Sequence, residues 1–192
     1  MIPGHEHFPA ELDQQYTRLA LAAAWPGELR PGYAVVVGVS RYGRVGGLPV
    51  LKVLDEASDG RLWELTGKLA ALRMYYNPEE LWADASNVAA MQFCSERRLA
   101  VRSSLLVEMD GPLAYALPVL KRLRDARRLV IPAGSSLTGE LMTAPAHEGL
   151  ESLKLADYPA IAALAFAVLA VESGRWDGPP PASQTWRPER IL

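Results

Sequence analysis

Apolar positions along the chain follow two different periods, and the change from one to the other sketches its elements. Within residues 9–25, Leu12, Tyr16, Leu19 and Ala23 recur at three- and four-residue steps, a spacing that predicts a helix. Pro26-Gly27 and Pro31-Gly32 stop it. Tyr33–Ser40 is a near-continuous run rich in β-branched residues, which predicts a central strand buried on both faces. The glycine-rich segment Arg41–Gly47 turns the chain into Leu48–Asp55, a second apolar run suited to antiparallel pairing in a hairpin.

Ser58-Asp59-Gly60 marks a turn, and Leu62, Leu65, Leu69, Leu72 and Tyr76 then place a helix over Arg61–Tyr76. Pro78 ends it. Strand and helix alternate from there: a strand at Glu80–Ala83, a helix over Asn87–Arg98, a strand near Leu99–Val107, a helix from Gly111 to about Arg127 and a brief strand at Arg128–Ile131. A turn over Pro132–Ser136, a short helix and a final helix over Ser152–Glu172 complete the set. A hairpin followed by alternating helices and strands predicts an α/β mixed sheet, antiparallel strands first and parallel strands after, flanked by helices. The expected organisation is a helical lead-in over residues 1–32, the sheet domain over 33–174 and a proline-rich tail over 175–192.

With 192 residues and 49% hydrophobic positions, the chain can bury one substantial core. Its net charge of −2 and pI near 6.0 do not mark a nucleic-acid binder by total charge, so local clusters carry that question. The strongest runs through Lys121, Arg122, Arg124, Arg127 and Arg128, a composition that suits phosphate contacts as well as the solvated end of a helix. A single cysteine, Cys94, excludes an internal disulfide framework and suits a reducing interior. The longest apolar run, Ala160–Val171, falls short of the roughly 20 residues that span a bilayer. No basic start leads into an apolar core and cleavage site, so the expectation is a cytoplasmic protein without a secretory signal or membrane partner.

Chemistry concentrates at two acids. Asp84 follows the apolar pair Leu81-Trp82 where a strand gives way to a helix, a position suited to a metal ligand and also to an acid facing the next helix's amides. Asp157 precedes Pro159 at the start of the last helix and could serve as its N-cap. Gly43, Gly46 and Gly47 beside Arg41 and Arg44 could admit a phosphate, but the loop leads into a strand, as an ordinary hairpin does. Gly67-Lys68-Leu69 lacks the remainder of a P-loop. His5, His7 and His147 have no metal spacing, and Gly134-Ser135-Ser136 is not a nucleophile elbow.

Three motifs together resemble a known family. Gly38-Val39-Ser40 at a strand end, Trp82-Ala-Asp-Ala-Ser86 before a helix and Leu155-Ala-Asp-Tyr-Pro-Ala-Ile-Ala-Ala-Leu164 late in the chain resemble the nuclease domain of phage terminase large subunits, within the ribonuclease H-like superfamily. The resemblance covers about residues 33–172. It implies a ribonuclease H-like fold and hydrolysis of DNA phosphodiesters by two Mg²⁺ or Mn²⁺ ions about 3.5–4 Å apart, with Asp84 and Asp157 as catalytic metal ligands. Arg41, Arg44, Lys121, Arg124 and Arg128 are the candidate DNA contacts, and a phage packaging complex or another protein is the implied partner. Ser40 takes the place of the family's first aspartate, with Asp55 and Glu64 the candidate replacements. That substitution implies loss of one metal position, and so a second reading: an inactive module of the same fold that binds nucleic acid or a protein.

Overall fold

The computed structural model describes residues 9–85, 87–104, 112–143 and 157–173. Its elements in chain order are α1 (Pro9–Gln15), β1 (Tyr16–Ala24), β2 (Gly32–Val45), β3 (Leu48–Asp59), α2 (Leu62–Tyr76), β4 (Glu80–Asp84), α3 (Val88–Glu96), β5 (Arg102–Ser104), α4 (Pro112–Asp125), β6 (Leu129–Val130), α5 (Ser136–Thr143) and α6 (Pro159–Ser173). They build a six-stranded sheet in the order β5-β4-β1-β2-β3-β6. Strands β1, β2 and β3 are antiparallel neighbours, whereas β4 runs parallel to β1, β5 to β4 and β6 to β3. The expected mixed sheet is present, with its hairpin first and its parallel strands after.

The largest departure from the sequence reading is β1. The expected helix over residues 9–25 survives only as α1, and Tyr16–Ala24 is a strand paired with both β2 and β4. The boundary expected at residue 33 therefore moves, because the sheet begins at Tyr16. Leu19-Ala-Leu-Ala-Ala-Ala24 has high intrinsic helix propensity, but tertiary packing overrides it. Ala20, Ala22 and Ala24 lie in the core beneath α6, while Leu21 and Ala23 lie in the core beneath α2 and α3. A strand covered on both faces carries no polar alternation. The tail over 175–192 and the histidines lie outside the described residues.

Two cores follow from that division. One lies between the sheet and α6, α4 and α5; the other lies between the sheet and α1, α2 and α3. Helix α6 is buried on every side from Ala160 to Val171, since the sheet covers one flank while α4 and α5 cover others. This explains why its sequence is apolar all round. Alanines on both α6 and β1 allow their backbones to approach closely. No helix among the described residues is long and apolar enough to cross a membrane.

The buried ends of α6 need partners, and distant side chains supply them. At the C-terminal end, Arg18 donates from Nη1 to the Val171 carbonyl at 2.6 Å and from Nη2 to the Ala170 carbonyl at 3.3 Å. At the other end, Glu140 Oε2 accepts from the amides of Ala160 and Ile161 at 2.9 and 3.2 Å. Burial raises the Glu140 carboxyl above its ordinary range, opposed by those two amides and by Arg30. A carboxyl whose folded pKa is raised loses stabilising influence as pH climbs from the ordinary carboxylate range through the folded value. Thermal melts from acid to neutral pH are therefore expected to show a stability decrement in the wild type that Glu140→Gln removes; identical pH profiles would contradict this.

Candidate functional site

The register places the end of β4 beside the end of β1. Ala22 pairs with Trp82 and Ala23 with Ala83, so one step further Ala24 stands next to Asp84. Trp82 and Ala24 belong to the core on the α6 side, and strand alternation puts Asp84 on that side too. Asp84 is 5% exposed. Its backbone carbonyl accepts a buried hydrogen bond from Trp25 Nε1 at 2.6 Å, which ties the residue after β1 to the end of β4. Helix α3 has its own cap, since Asn87 Oδ1 accepts from the Ala90 amide at 3.0 Å. Asp84 is not needed for that purpose.

Asp157 belongs to the same end of the sheet. Helix α6 runs antiparallel to β1: its C-terminal carbonyls meet Arg18 near the start of β1, and its first amides meet Glu140 of α5. The first residues of α5 in turn contact the start of β2, where the Ser136 hydroxyl donates to Tyr33 Oη at 3.1 Å, and Tyr33 pairs with Ala24. Asp157, two residues before α6, is exposed. It is not the N-cap expected from sequence, because the Tyr158 carbonyl accepts the first helical bond, from Ala162, and Glu140 takes the free amides.

Ser40 is elsewhere. It pairs with Tyr16 at the start of β1, and the nine residues of β1, at about 3.3 Å each, put roughly 25 Å between it and the Asp84 end. Its buried hydroxyl accepts from the Gly43 amide at 2.9 Å. The expectation that Ser40 occupies the first carboxylate's place is thus corrected: the strand end beside Asp84 belongs to β1, and its residues are Ala22-Ala-Ala-Trp25. The proposed replacements are also committed to other contacts. Asp55 Oδ1 accepts from the Glu56 amide at 2.8 Å, and burial, reinforced by the Asp55 carboxylate, raises the Tyr76 hydroxyl. Glu64 pairs with Arg61 at 3.5 Å.

Two Mg²⁺ or Mn²⁺ ions require several converging oxygen ligands. Among the described residues no three His, Cys, Asp or Glu side chains group so as to hold a metal; the neighbour of Asp84 on β1 is Ala24, and its register partner on β5 is Ser104. The described residues at this strand end do not fit a two-metal centre. Cys94 offers no alternative nucleophile, since burial pushes its thiol up to about 11 against the opposing pull of Arg97.

The candidate DNA contacts lie at the other end of the sheet. Arg41 and Arg44 are exposed on the β2–β3 hairpin, Lys121 and Arg124 are exposed on α4, and Arg124 pairs with Asp125 at 3.3 Å. Arg128 is different: its Nε and Nη2 both donate to the Pro49 carbonyl, at 3.0 and 2.8 Å. It is a positioning residue that joins the end of α4 to β3. The glycine-rich loop is a hairpin turn, with Gly46 at φ 58° and Gly47 at φ 79°, the two positive φ values of a type I′ turn.

No protein-family model matches the sequence, and no curated protein matches it. Solved structures do. The large terminase nuclease domain of bacteriophage SPP1 with bound Mn superposes with a TM-score of 0.59 at 15% identity, covering 87% of this chain and 93% of that one. The large terminase nuclease of thermophilic phage G20c gives 0.57 at 13% identity over 78% and 80% of the two chains, and its zinc-bound form gives 0.56 at 14% over 78% and 79%. Together with the strand order and the helix packing, these likenesses establish that the chain has the ribonuclease H-like fold of phage large-terminase nuclease domains.

Proposed function

We propose that this chain is a terminase-nuclease-type ribonuclease H-like module that binds its partner without cutting nucleic acid. One observation carries the reading: the end of β1 beside Asp84 is Ala22-Ala-Ala-Trp25, with no oxygen ligand to share a cation with Asp84. A bridging carboxylate offsets the repulsion between two divalent ions and fixes their spacing. One carboxylate facing alanine can do neither. A role in a phage packaging complex accords with the relatives' fold, and DNA is the partner their chemistry suggests.

Calorimetric titration with Mn²⁺ tests the metal half of this reading. The wild type and Asp84→Asn are expected to give the same weak, non-saturating heats. A saturable isotherm in the wild type that Asp84→Asn abolishes would overturn it.

A further inference from the structure

Glu56 lies where simple strand alternation would not put it. Val36 pairs with Asp55 but Val37 with Val53, so Leu54 is an extra residue in β3, a bulge that moves every later side chain to the other face. Val53 belongs to the core on the α6 side, whereas Ala57, four residues on, packs against the core on the α2 side. The bulge thus turns Glu56 toward the α6 side, where it gathers the start of α5. Its Oε1 accepts from the Ser136 amide at 3.0 Å, and its Oε2 accepts from the hydroxyls of Ser135 and Tyr33. The Ser135 hydroxyl in turn accepts from the Leu137 amide at 3.2 Å. Burial, reinforced by the bond to Glu56, raises the Tyr33 hydroxyl above its ordinary range and keeps it a donor.

Helix α5 passes the connection on, since its Glu140 takes the Ala160 and Ile161 amides at the start of α6. Two carboxylates in series therefore join β3 to α5 and α5 to α6. By itself α5 is a weak helix. It has eight residues with Gly139 inside it, well short of the roughly 12–15 at which an isolated helix becomes even marginal in water, and an internal glycine weakens it further. Thr138, Gly139 and Met142 face solvent, while Leu137 is fully buried and Leu141 packs against the core on the α6 side. A segment with so few apolar anchors opens at lower cost than the sheet behind it.

We infer that α5 is a strap across the Asp84 end of the sheet, fastened by Glu56, that opens as a unit while the sheet stays folded. Its opening withdraws Leu137 from the core and uncovers the start of α6 and Tyr33, the strand neighbour of Ala24, and so opens the sheet's end next to Asp84. The strap serves a cutting and a non-cutting protein alike, since it rests on Glu56 rather than on the residues at the end of β1.

Amide hydrogen exchange of the full chain, followed residue by residue by NMR, tests it. In the wild type, Glu140 and Leu141 of α5 should exchange at least about a hundredfold faster than Val35 and Val36 of β2. Glu56→Gln, which keeps the side chain's shape but removes its charge and one acceptor, should speed the α5 amides by about tenfold. Ala160 and Ile161 should accelerate with them, although their bonds run to Glu140 and not to Glu56. Leu69→Ala, in the core on the α2 side, should speed Val35 and Val36 by about a hundredfold yet leave the α5 amides at wild-type rates, because the contacts of Leu69 persist when the strap is open. Wild-type α5 amides as slow as those of β2, or α5 amides that follow Val35 and Val36 in Leu69→Ala, would mean that α5 opens only when the whole domain unfolds and would overturn the inference. So would α5 rates unchanged by Glu56→Gln.

Discussion

Ala24→Asp is expected to destabilise the protein by about 3–5 kcal/mol in metal-free buffer, the usual cost of an uncompensated buried charge, and to regain much of that loss when Mn²⁺ is added. Ala24 is 2% exposed and lies beside Asp84 on the α6 side of the sheet. A second carboxylate there would be buried among apolar side chains and would repel Asp84. A divalent cation held between the two would relieve both effects and, at about a hundred times its dissociation constant, return about 2.7 kcal/mol. Melts of Ala24→Asp with increasing Mn²⁺ should therefore rise steeply, while wild-type melts stay flat. Ser40→Asp serves as the contrast: it places its charge roughly 25 Å away along β1 and should show no metal response. A metal response in Ser40→Asp with none in Ala24→Asp would contradict the register on which the site rests.

Phe166→Ala is expected to cost about 3–5 kcal/mol, a fall in Tm of roughly 6–20 °C for a domain of this size. Phe166 is fully buried on α6 and is among the largest side chains in the core. Its surroundings cannot readily collapse, because much of α6 and of the strand beneath it is alanine, which has no side chain to move into a cavity. Phe166→Leu retains most of the volume and should lose much less. Equal Tm values for wild type and Phe166→Ala in a thermal melt would contradict the placement of α6 as the central buried helix.

Much of the fold is legible from local pattern. The β-branched run at Tyr33–Ser40, the leucine spacing over Arg61–Tyr76 and the strand-to-helix step at Glu80–Asn87 each match their elements closely. Strand β1 is not legible, for a physical reason. Alanine favours a helix when nothing else decides, and what decides here is a pair of flanking strands and a close-packed helix contributed by distant segments. Without β1 the site is displaced as well, since the first strand then ends at Ser40 rather than beside Trp25. A turn signal is present in Trp25-Pro-Gly27 directly after a short apolar run, and it fits a strand end as well as a helix stop. Asp84 is recognisable from its position alone. The cap that Glu140 provides for α6 joins residues 20 apart in sequence, and the Arg128 link to Pro49 joins residues 79 apart. Neither leaves a local trace.

The fold and the residues at the end of β1 point in different directions: the fold is shared with large-terminase nuclease domains, while Ala22-Ala-Ala-Trp25 beside Asp84 offers no carboxylate. Supercoiled-plasmid cleavage with Mg²⁺ or Mn²⁺, comparing the wild type with Asp84→Asn, decides between them most directly. Both proteins are expected to leave the plasmid supercoiled with either metal. Metal-dependent nicking or linearisation by the wild type that Asp84→Asn eliminates would contradict the non-cutting role.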